Sequence, residues 1–526
     1  MQPREQADAG GGPVRGLIEG FYGPPWSWDA RAEVMAAGHG GGMTHYVYAP
    51  KDDPLHRERW REPYPSADLD RLAGLVGAGT LSVGFAISPG LSMAYDDDAD
   101  RAALGAKVDQ VLDLGIDLVC LAVDDIPVRP GLGEAHASVT TWLRHHLGDR
   151  ARLILVPTEY TGTTATPYLD ALATGVPADV PIAWTGATVV CDEITVAEAE
   201  ARAASLGGRP PLVWDNYPVN DSIMADQLFT GPLRGRPAGL LDVTSGWMAN
   251  PMVQARASLP ALASVAGWLR GDDPERAWRS SLGGAATFCE GCDGEVPNRL
   301  VARLGDVADG PGWGAALGDA HRWFRAAATC AAPGMEDEVG PWLARLHEDA
   351  SLAVQALRCI QAAKPVVSAA LDGRGRASGP DLVTVGETAL ALAARWPAAR
   401  RAEVSVLGAR CGVRPVMGQW PDGSWAFRSA SVTTGANALD AVVGLALEAA
   451  DAVVASAPPG VRPAERRAPL VDGLAVEADG QPVPVAHDGT FRAPAGAPVT
   501  ARWGGLATTV APGAGPPLAE SRLDAP

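Results

Sequence analysis

Apolar and polar positions alternate along the first half of the chain in a regular rhythm. Short β-prone runs recur at 14–20 (VRGLIEG), 45–51 (HYVYAPK), 82–89 (SVGFAISP) and 118–125 (LVCLAVDD). The series continues at 152–160 (RLILVPTEY), 181–190 (PIAWTGATVV), 211–219 (PLVWDNYPV) and 239–251 (GLLDVTSGWMANP). Between them lie stretches such as DLDRLAGLVGAG and DRAALGAKVDQVLDLG, where Leu, Val and Ala fall at three- and four-residue intervals behind a capping Asp. That spacing predicts amphipathic helices. Strand and helix in alternation imply parallel strands with crossover helices, and eight such units in about 250 residues predict an α/β fold, a (β/α)8 TIM barrel. Chemistry then belongs at the C-terminal strand ends, where the βα loops gather over a packed interior.

After residue 252 the rhythm changes. MVQARASLPALASVAGWLR reads as a helix, and helical patterns cover roughly 300–365, 381–403 and 437–456, with a Trp-rich insertion, GQWPDGSW, at 418–425. From about 457 the chain turns Pro- and Gly-rich, with short alternating pieces such as LAVEAD and TFRAP; these predict a small β appendage or a loosely ordered tail. The expected organisation is a disordered N-terminus over 1–12, a catalytic barrel over 13–270, an α-helical domain over 271–456 and a Pro/Gly-rich C-terminal segment over 457–526.

Composition narrows the function classes. A hydrophobic fraction of 47% over 526 residues marks a globular chain with more than one core. A net charge of −19 argues against nucleic acid or an anionic membrane as the main partner. The N-terminus, MQPREQADAGGGPVRG, lacks an apolar core of signal-peptide length, and no later run approaches membrane-spanning length, so the expectation is a cytoplasmic protein. Seven scattered cysteines fit reduced thiols. The one close pair, Cys289 and Cys292 in FCEGC, lacks the second ligand pair of a zinc site, and no metal or cofactor is expected.

The predicted strand ends are unusually polar: EGFYG, APKDD, DDIP, PTEY, WTG, WDNYPVND and ANP. Trp and Tyr faces with Asp and Asn side chains suit a sugar, covering its apolar face and taking its hydroxyls. There is no GxGxxG, P-loop or HExxH pattern, and the histidines lack ligand spacing. Asp124 and Asp125 stand side by side. Most glycosidases set two carboxyls across the scissile bond, at least about 5 Å apart. An adjacent pair, with Cα atoms about 3.8 Å apart, suits substrate assistance better. There the sugar's own 2-acetamido oxygen is the nucleophile, one carboxylate orients the amide and the other protonates the leaving oxygen.

GLIEGFYGPPWSWDAR, YVYAPKDDPLHRERWREPYP, VDDI, PTEYTGT, WTG, WDNYPVND and NP, in this order over about 13–270, resemble the glycoside hydrolase family of the protein O-GlcNAcases and related bacterial β-N-acetylglucosaminidases, family 84. The resemblance implies a retaining exo-β-N-acetylglucosaminidase acting on terminal β-linked GlcNAc through an oxazoline. By it, Asp124 orients and polarises the acetamido group and Asp125 is the general acid/base. Gly20, by its backbone, and Lys51 would hold hydroxyls near O3, Asp221 and Asn250 those at O4 and O6, and Asn216 would lie beside the acetamido end. Tyr160, Thr185 and Trp214 would wall the acetamido pocket, and Tyr22 would lie near the same site. Without the resemblance, Lys51 reads as a solvated lysine, Asp221 and Asn250 as helix caps, and Trp214 and Thr185 as barrel core. Val156 departs from the family pattern, standing where relatives have a small cysteine, which puts tolerance for larger N-acyl groups in doubt.

Other polar clusters have plainer readings. DDDAD at 96–100 is expected to cap the next helix. His56 and Arg57 are expected to pin the loop after the second strand, and His145 and His146 to lie on a surface helix. The expected partner is a β-GlcNAc-bearing glycoprotein, glycopeptide or small glycoside. Alternatives are a non-catalytic GlcNAc-binding barrel, or the same chemistry on hyaluronan or cell-wall fragments. The oligomeric state is left open.

Overall fold

The computed structural model describes residues 12–307, 310–371, 379–399, 404–407, 411–419, 425–433, 437–456, 475–483, 498–503 and 506–510. Eight strands run in parallel: β1 (Val14–Glu19), β2 (His45–Tyr48), β3 (Ser82–Ile87), β4 (Leu118–Ala122), β5 (Arg152–Val156), β6 (Ala183–Trp184), β7 (Leu212–Asp215) and β8 (Gly246–Ala249). They follow the order β5-β4-β3-β2-β1-β8-β7-β6, and a single parallel bridge, Leu155 to Ile182, joins the two ends. The predicted barrel is therefore present, with a narrow seam between β5 and β6.

Helices α1 (Trp28–Gly40), α2 (Ser66–Ala78), α3 (Asp98–Leu112), α4 (Leu132–Leu147), α5 (Pro167–Gly175), α6 (Val196–Ser205), α7 (Leu240–Val243) and α8 (Ala255–Leu269) follow the strands in turn. Their starts obey local capping chemistry. Asp97 accepts from the Ala99 and Asp100 amides at the head of α3, so the acidic run does cap a helix. Thr195 and Glu198 form a capping box on α6. His145 and His146 lie in the last turn of α4. Two expected strand runs differ. In the eighth, GLLDV is the short helix α7 and only GWMA is strand. In the sixth, only Ala183 and Trp184 are strand, because the backbone beyond turns to pair with a loop.

Both faces of the strands are buried, as parallel sheets require. Val14, Ile18, Val47, Ala49, Ala86, Leu118, Cys120, Ala122, Ile154, Val156, Ala183, Leu212, Trp214 and Met248 form one cluster. Within each strand these positions are two or four apart, which is the parity of a single face. They fill the barrel interior.

A buried ionic knot ties β1 to its neighbours. Glu19 is fully buried and accepts from Arg31 Nε and Nη2, both at 2.8 Å. The Tyr46 hydroxyl donates to the same carboxylate, as does the Trp26 amide at 3.2 Å. The Arg31 guanidinium lies 4.5 Å from the Trp28 ring and 4.9 Å from that of Tyr48.

The chain divides into two compact units, Met1–Ser222 with Phe229–Gly283, and Ile223–Leu228 with Gly284–Pro526. The first carries the barrel and the short helix α9 (Pro274–Ser281). The second contains α10 (Ala286–Asp293), α11 (Glu295–Asp306), α12 (Trp313–Ala327), α13 (Glu336–Leu371), α14 (Gly379–Ala399) and α15 (Ala438–Ser456); α12 to α15 fall on the expected helical patterns, whereas α10 and the start of α11 lie before them. It includes the segment 223–228, where Asp226 O accepts from Ser405 N at 2.7 Å and Trp342 Nε1 at 2.8 Å. Around the Trp-rich insertion the chain forms an antiparallel pair, β9 (Cys411–Gln419) and β10 (Trp425–Thr433). LAVEAD supplies β11 (Ala475–Ala478), which joins β12 (Gln481–Val483), β13 (Val499–Trp503) and β14 (Leu506–Val510) in an antiparallel sheet. TFRAP, residues 1–11 and most of GQWPDGSW lie outside the described residues.

Removing one partner of the Glu19 knot leaves a buried charge uncompensated. Arg31→Met should therefore cost about 3–5 kcal/mol, read as a lower urea midpoint for the barrel; a midpoint within error of the parent would show that the knot does not hold β1.

Candidate active site

Each inward row of the barrel continues one step beyond its strand, and those next positions carry polar side chains, except at Gly20, which presents its backbone N–H. Ile18 is followed two residues on by Gly20, Ala49 by Lys51, Ala122 by Asp124, Ala183 by Thr185, Trp214 by Asn216 and Met248 by Asn250. The site is thus the last layer of the barrel filling, at the C-terminal mouth.

Asp124 keeps the inward parity of β4 and is only 6% exposed. Its Oδ2 accepts from Lys51 Nζ at 2.5 Å. Its Oδ1 is buried without a hydrogen-bond partner. Burial raises its affinity for a proton, with Lys51 opposing and Asp125 adding to the rise.

Asp125 would by parity face the outer helices, but its backbone takes φ +52°, a left-handed conformation that Asp tolerates better than most residues. The carboxylate turns back to the mouth. Oδ2 accepts from the Tyr22 hydroxyl at 2.7 Å, and Oδ1 from the Tyr160 hydroxyl at 2.9 Å. Lys51 Nζ lies 3.5 Å away. Burial again pushes the carboxyl upward, but Lys51, the two phenols and Arg57 outweigh it and hold Asp125 below the usual carboxylate range. In this structure the adjacent acids are thus unequal: the inner one is shifted toward keeping a proton and the outer one toward losing it.

The remaining expected residues lie around this centre, bonded to it or to one another. The Tyr22 amide donates to Asp221 Oδ2 at 2.7 Å; burial, first among its causes, lifts the Asp221 carboxyl. Thr185 N donates to Tyr160 O at 2.9 Å, and its hydroxyl donates to Thr188 O at 3.0 Å. Lys51 Nζ is 6.0 Å from the Trp214 ring. Trp214 Nε1 donates to Asn216 Oδ1 at 3.0 Å, and Asn250 Nδ2 donates to the same oxygen at 2.9 Å. Asn216 Nδ2 donates to Val189 O at 2.7 Å, and Gly20 N donates to Asn250 Oδ1 at 3.2 Å. Val156 is buried in the barrel interior cluster with Trp214, paired in register with Ala122.

A model of a β-N-acetylglucosaminidase family matches residues 15–293, more than half of the chain. The chain belongs to that family, glycoside hydrolase family 84. Among curated proteins, the protein O-GlcNAcases of Rattus norvegicus and Mus musculus are each 32% identical over 273 residues, 48% of this chain and 30% of each relative. The chain thus matches less than a third of those relatives' length. Among solved structures, a mutant of the Thermobaculum terrenum O-GlcNAc hydrolase aligns with TM-score 0.65 and 26% identity, over 75% of this chain and 91% of that one. CpGH84B aligns with TM-score 0.63 and 23% identity, over 75% and 74% of the two chains, and shares the fold.

One polar residue of this candidate site has a wider reach than its sequence reading. His56 does pin its loop, with Nδ1 2.8 Å from Ala86 O. Arg57 does more than that: Nη1 donates to the Tyr22 hydroxyl at 2.6 Å and lies 3.8 Å from Asp125 Oδ2. The available signal was its place in the loop that already carries Lys51. Elsewhere, Cys289 and Cys292 are buried on α10 and form no disulfide. Among the described residues no cluster of His, Cys, Asp or Glu could hold a metal.

Gly20 has no room for a side chain: a Cβ there would lie 2.2 Å from Trp214 Cζ2. Gly20→Ala should displace the indole and cost about 1–3 kcal/mol by overpacking. Unchanged stability together with an unmoved Trp214 in a crystal structure of the variant would contradict this close approach.

Proposed function

We propose that the chain is a retaining exo-β-N-acetylglucosaminidase that removes terminal β-linked GlcNAc by substrate assistance. The observation that carries the reading is the unequal placing of two adjacent carboxylates. Asp124 ends a buried inward row with an unpartnered Oδ1, an acceptor suited to an amide N–H. The Asp125 side chain is 26% exposed at the mouth, where a leaving group departs.

In the first step the 2-acetamido carbonyl oxygen attacks C1 and the C1–O glycosidic bond breaks. Asp125 gives its proton to the leaving oxygen. The amide N–H, donated to Asp124 Oδ1, gains positive charge as the oxazoline ring forms, and the Asp124 carboxylate stabilises it. In the second step Asp125 takes a proton from water as that water attacks C1 and the ring reopens. Two inversions give net retention. The same contact sets up the acid. An N–H at Asp124 Oδ1 favours the carboxylate there, and like-charge repulsion then moves a shared proton toward Asp125.

The other contacts suit a single sugar. Gly20 and Lys51 would take O3, Asp221 and Asn250 would take O4 and O6, and Tyr160, Thr185, Trp214 and Asn216 would surround the acetamido group. Leu91, Val128, Val189 and Val190 are exposed on βα loops around the mouth, apolar surface that favours an aglycone larger than a methyl group. The reading extends to O-GlcNAc on proteins or peptides, in keeping with the relatives named O-GlcNAcase. A reducing, cytoplasmic setting accords with Cys120, Cys191, Cys289, Cys292, Cys330 and Cys359 forming no disulfide; among the described residues no helix is long and apolar enough to cross a membrane.

Asp125→Ala should cut turnover by about 10²–10⁴ fold on an O-GlcNAc peptide or chitobiose, the scale of a lost general acid. On aryl β-GlcNAc with an acidic phenol it should cut turnover far less. Equal losses on both substrates would remove Asp125 from that role. Asp124→Asn should slow both substrates, because acetamido stabilisation is needed whatever the leaving group. A normal rate with the activated aryl glycoside would exclude it.

A further inference from the structure

Arg57 is 8% exposed, and a guanidinium held so far from water needs acceptors. It finds the Tyr22 hydroxyl at 2.6 Å and Asp125 Oδ2 at 3.8 Å. The first contact settles the direction of a proton. Arginine is a donor only, whereas a phenol donates one hydrogen and accepts on its lone pairs. With Arg57 donating to it, the Tyr22 oxygen has its own hydrogen free for the one other close partner, Asp125 Oδ2 at 2.7 Å. Oδ2 is then an acceptor and cannot carry a proton on that side. Oδ1 faces Tyr160 at 2.9 Å, whose hydroxyl can rotate to donate to a carboxylate or accept from a carboxylic acid.

We propose that Arg57 is a positioning residue: by fixing the Tyr22 hydroxyl as a donor to Asp125 Oδ2, it reserves Oδ1 for the proton delivered to the leaving group. This rests on the glycosidase reading above. Arg57 acts with other groups around Asp125. Lys51 at 3.5 Å comes from the same loop, Asp124 from β4, Tyr22 from the loop after β1, and Tyr160 from the loop after β5. Asp221, from the loop after β7, adds negative charge toward Asp125, with Asp52 beside it. Among these, Arg57 is the cation whose hydrogen bond goes to a phenol of the centre, so its loss changes both the charge and the orientation at Asp125.

The sign follows from the charge. A cation beside a carboxylate favours its ionised form, and a general acid works only while protonated. Arg57→Met should let Asp125 keep its proton to higher pH, moving the basic limb of the kcat/KM profile upward by about one pH unit. It should also slow an O-GlcNAc peptide more than an aryl glycoside with an acidic phenol. Arg57→Lys keeps the charge and should return the limb most of the way. Tyr22→Phe, which removes the relay, should also move the limb upward. If Arg57→Met does not fold, the Lys and Phe variants carry the same comparison. A limb that stays in place in folded variants, or equal slowing of both substrates, would overturn the role of Arg57. A wild-type protein that hydrolyses no β-GlcNAc substrate would instead remove the glycosidase reading on which the role rests.

Discussion

Parity governs this structure. A strand in a closed parallel barrel can send only every second residue inward, and the interior is too narrow for anything but packed side chains. In β4 this places Leu118, Cys120 and Ala122 in the core and makes Asp124 the next inward position. In β2 it does the same for Lys51, beyond Val47 and Ala49. The carboxylate and the ammonium meet at 2.5 Å because two rows of apolar residues end at one level. Buried charge is costly unless answered, and here each row brings the answer to the other.

Asp125 is reached by breaking that rule. A left-handed backbone at this one residue puts two consecutive carboxylates on the same side of the chain, which a regular strand forbids. The environments then separate them. Asp124 has apolar walls, a lysine and an unpartnered oxygen; Asp125 has two phenols, a lysine, an arginine and access to the mouth. Two identical side chains acquire different proton affinities from surroundings alone.

The barrel was legible because eight apolar runs separated by helix-length spacers leave few alternatives, and the polar strand ends marked the mouth. GLLDV was misread because a short apolar run has no period that separates helix from strand; its helix lasts a single turn. The pair β9 and β10 was hidden by helical patterns on either side, since pairing across a hairpin leaves little trace in a segment of mixed polarity. The site was legible residue by residue where parity or motif names a position, as for Lys51, Asn216 and Asn250. Arg57 was not, because a long flexible side chain can reach in many directions and only the fold says that it reaches Tyr22.

The narrow seam between β5 and β6 gives the site a second responsibility. With one strand bridge between Leu155 and Ile182, much of the closure passes to hydrogen bonds just beyond the strands. Thr185 N donates to Tyr160 O and Gly162 N donates to Gly186 O, each at 2.9 Å. Two of the residues proposed to wall the acetamido pocket are therefore also the clasp of the barrel. Backbone shifts at Thr185 or Tyr160 that widened the pocket would loosen the closure of the whole cylinder, so selection for a new N-acyl group has less freedom here than at strands bonded along their full length. The pocket's shape is inherited from the ring that encloses it.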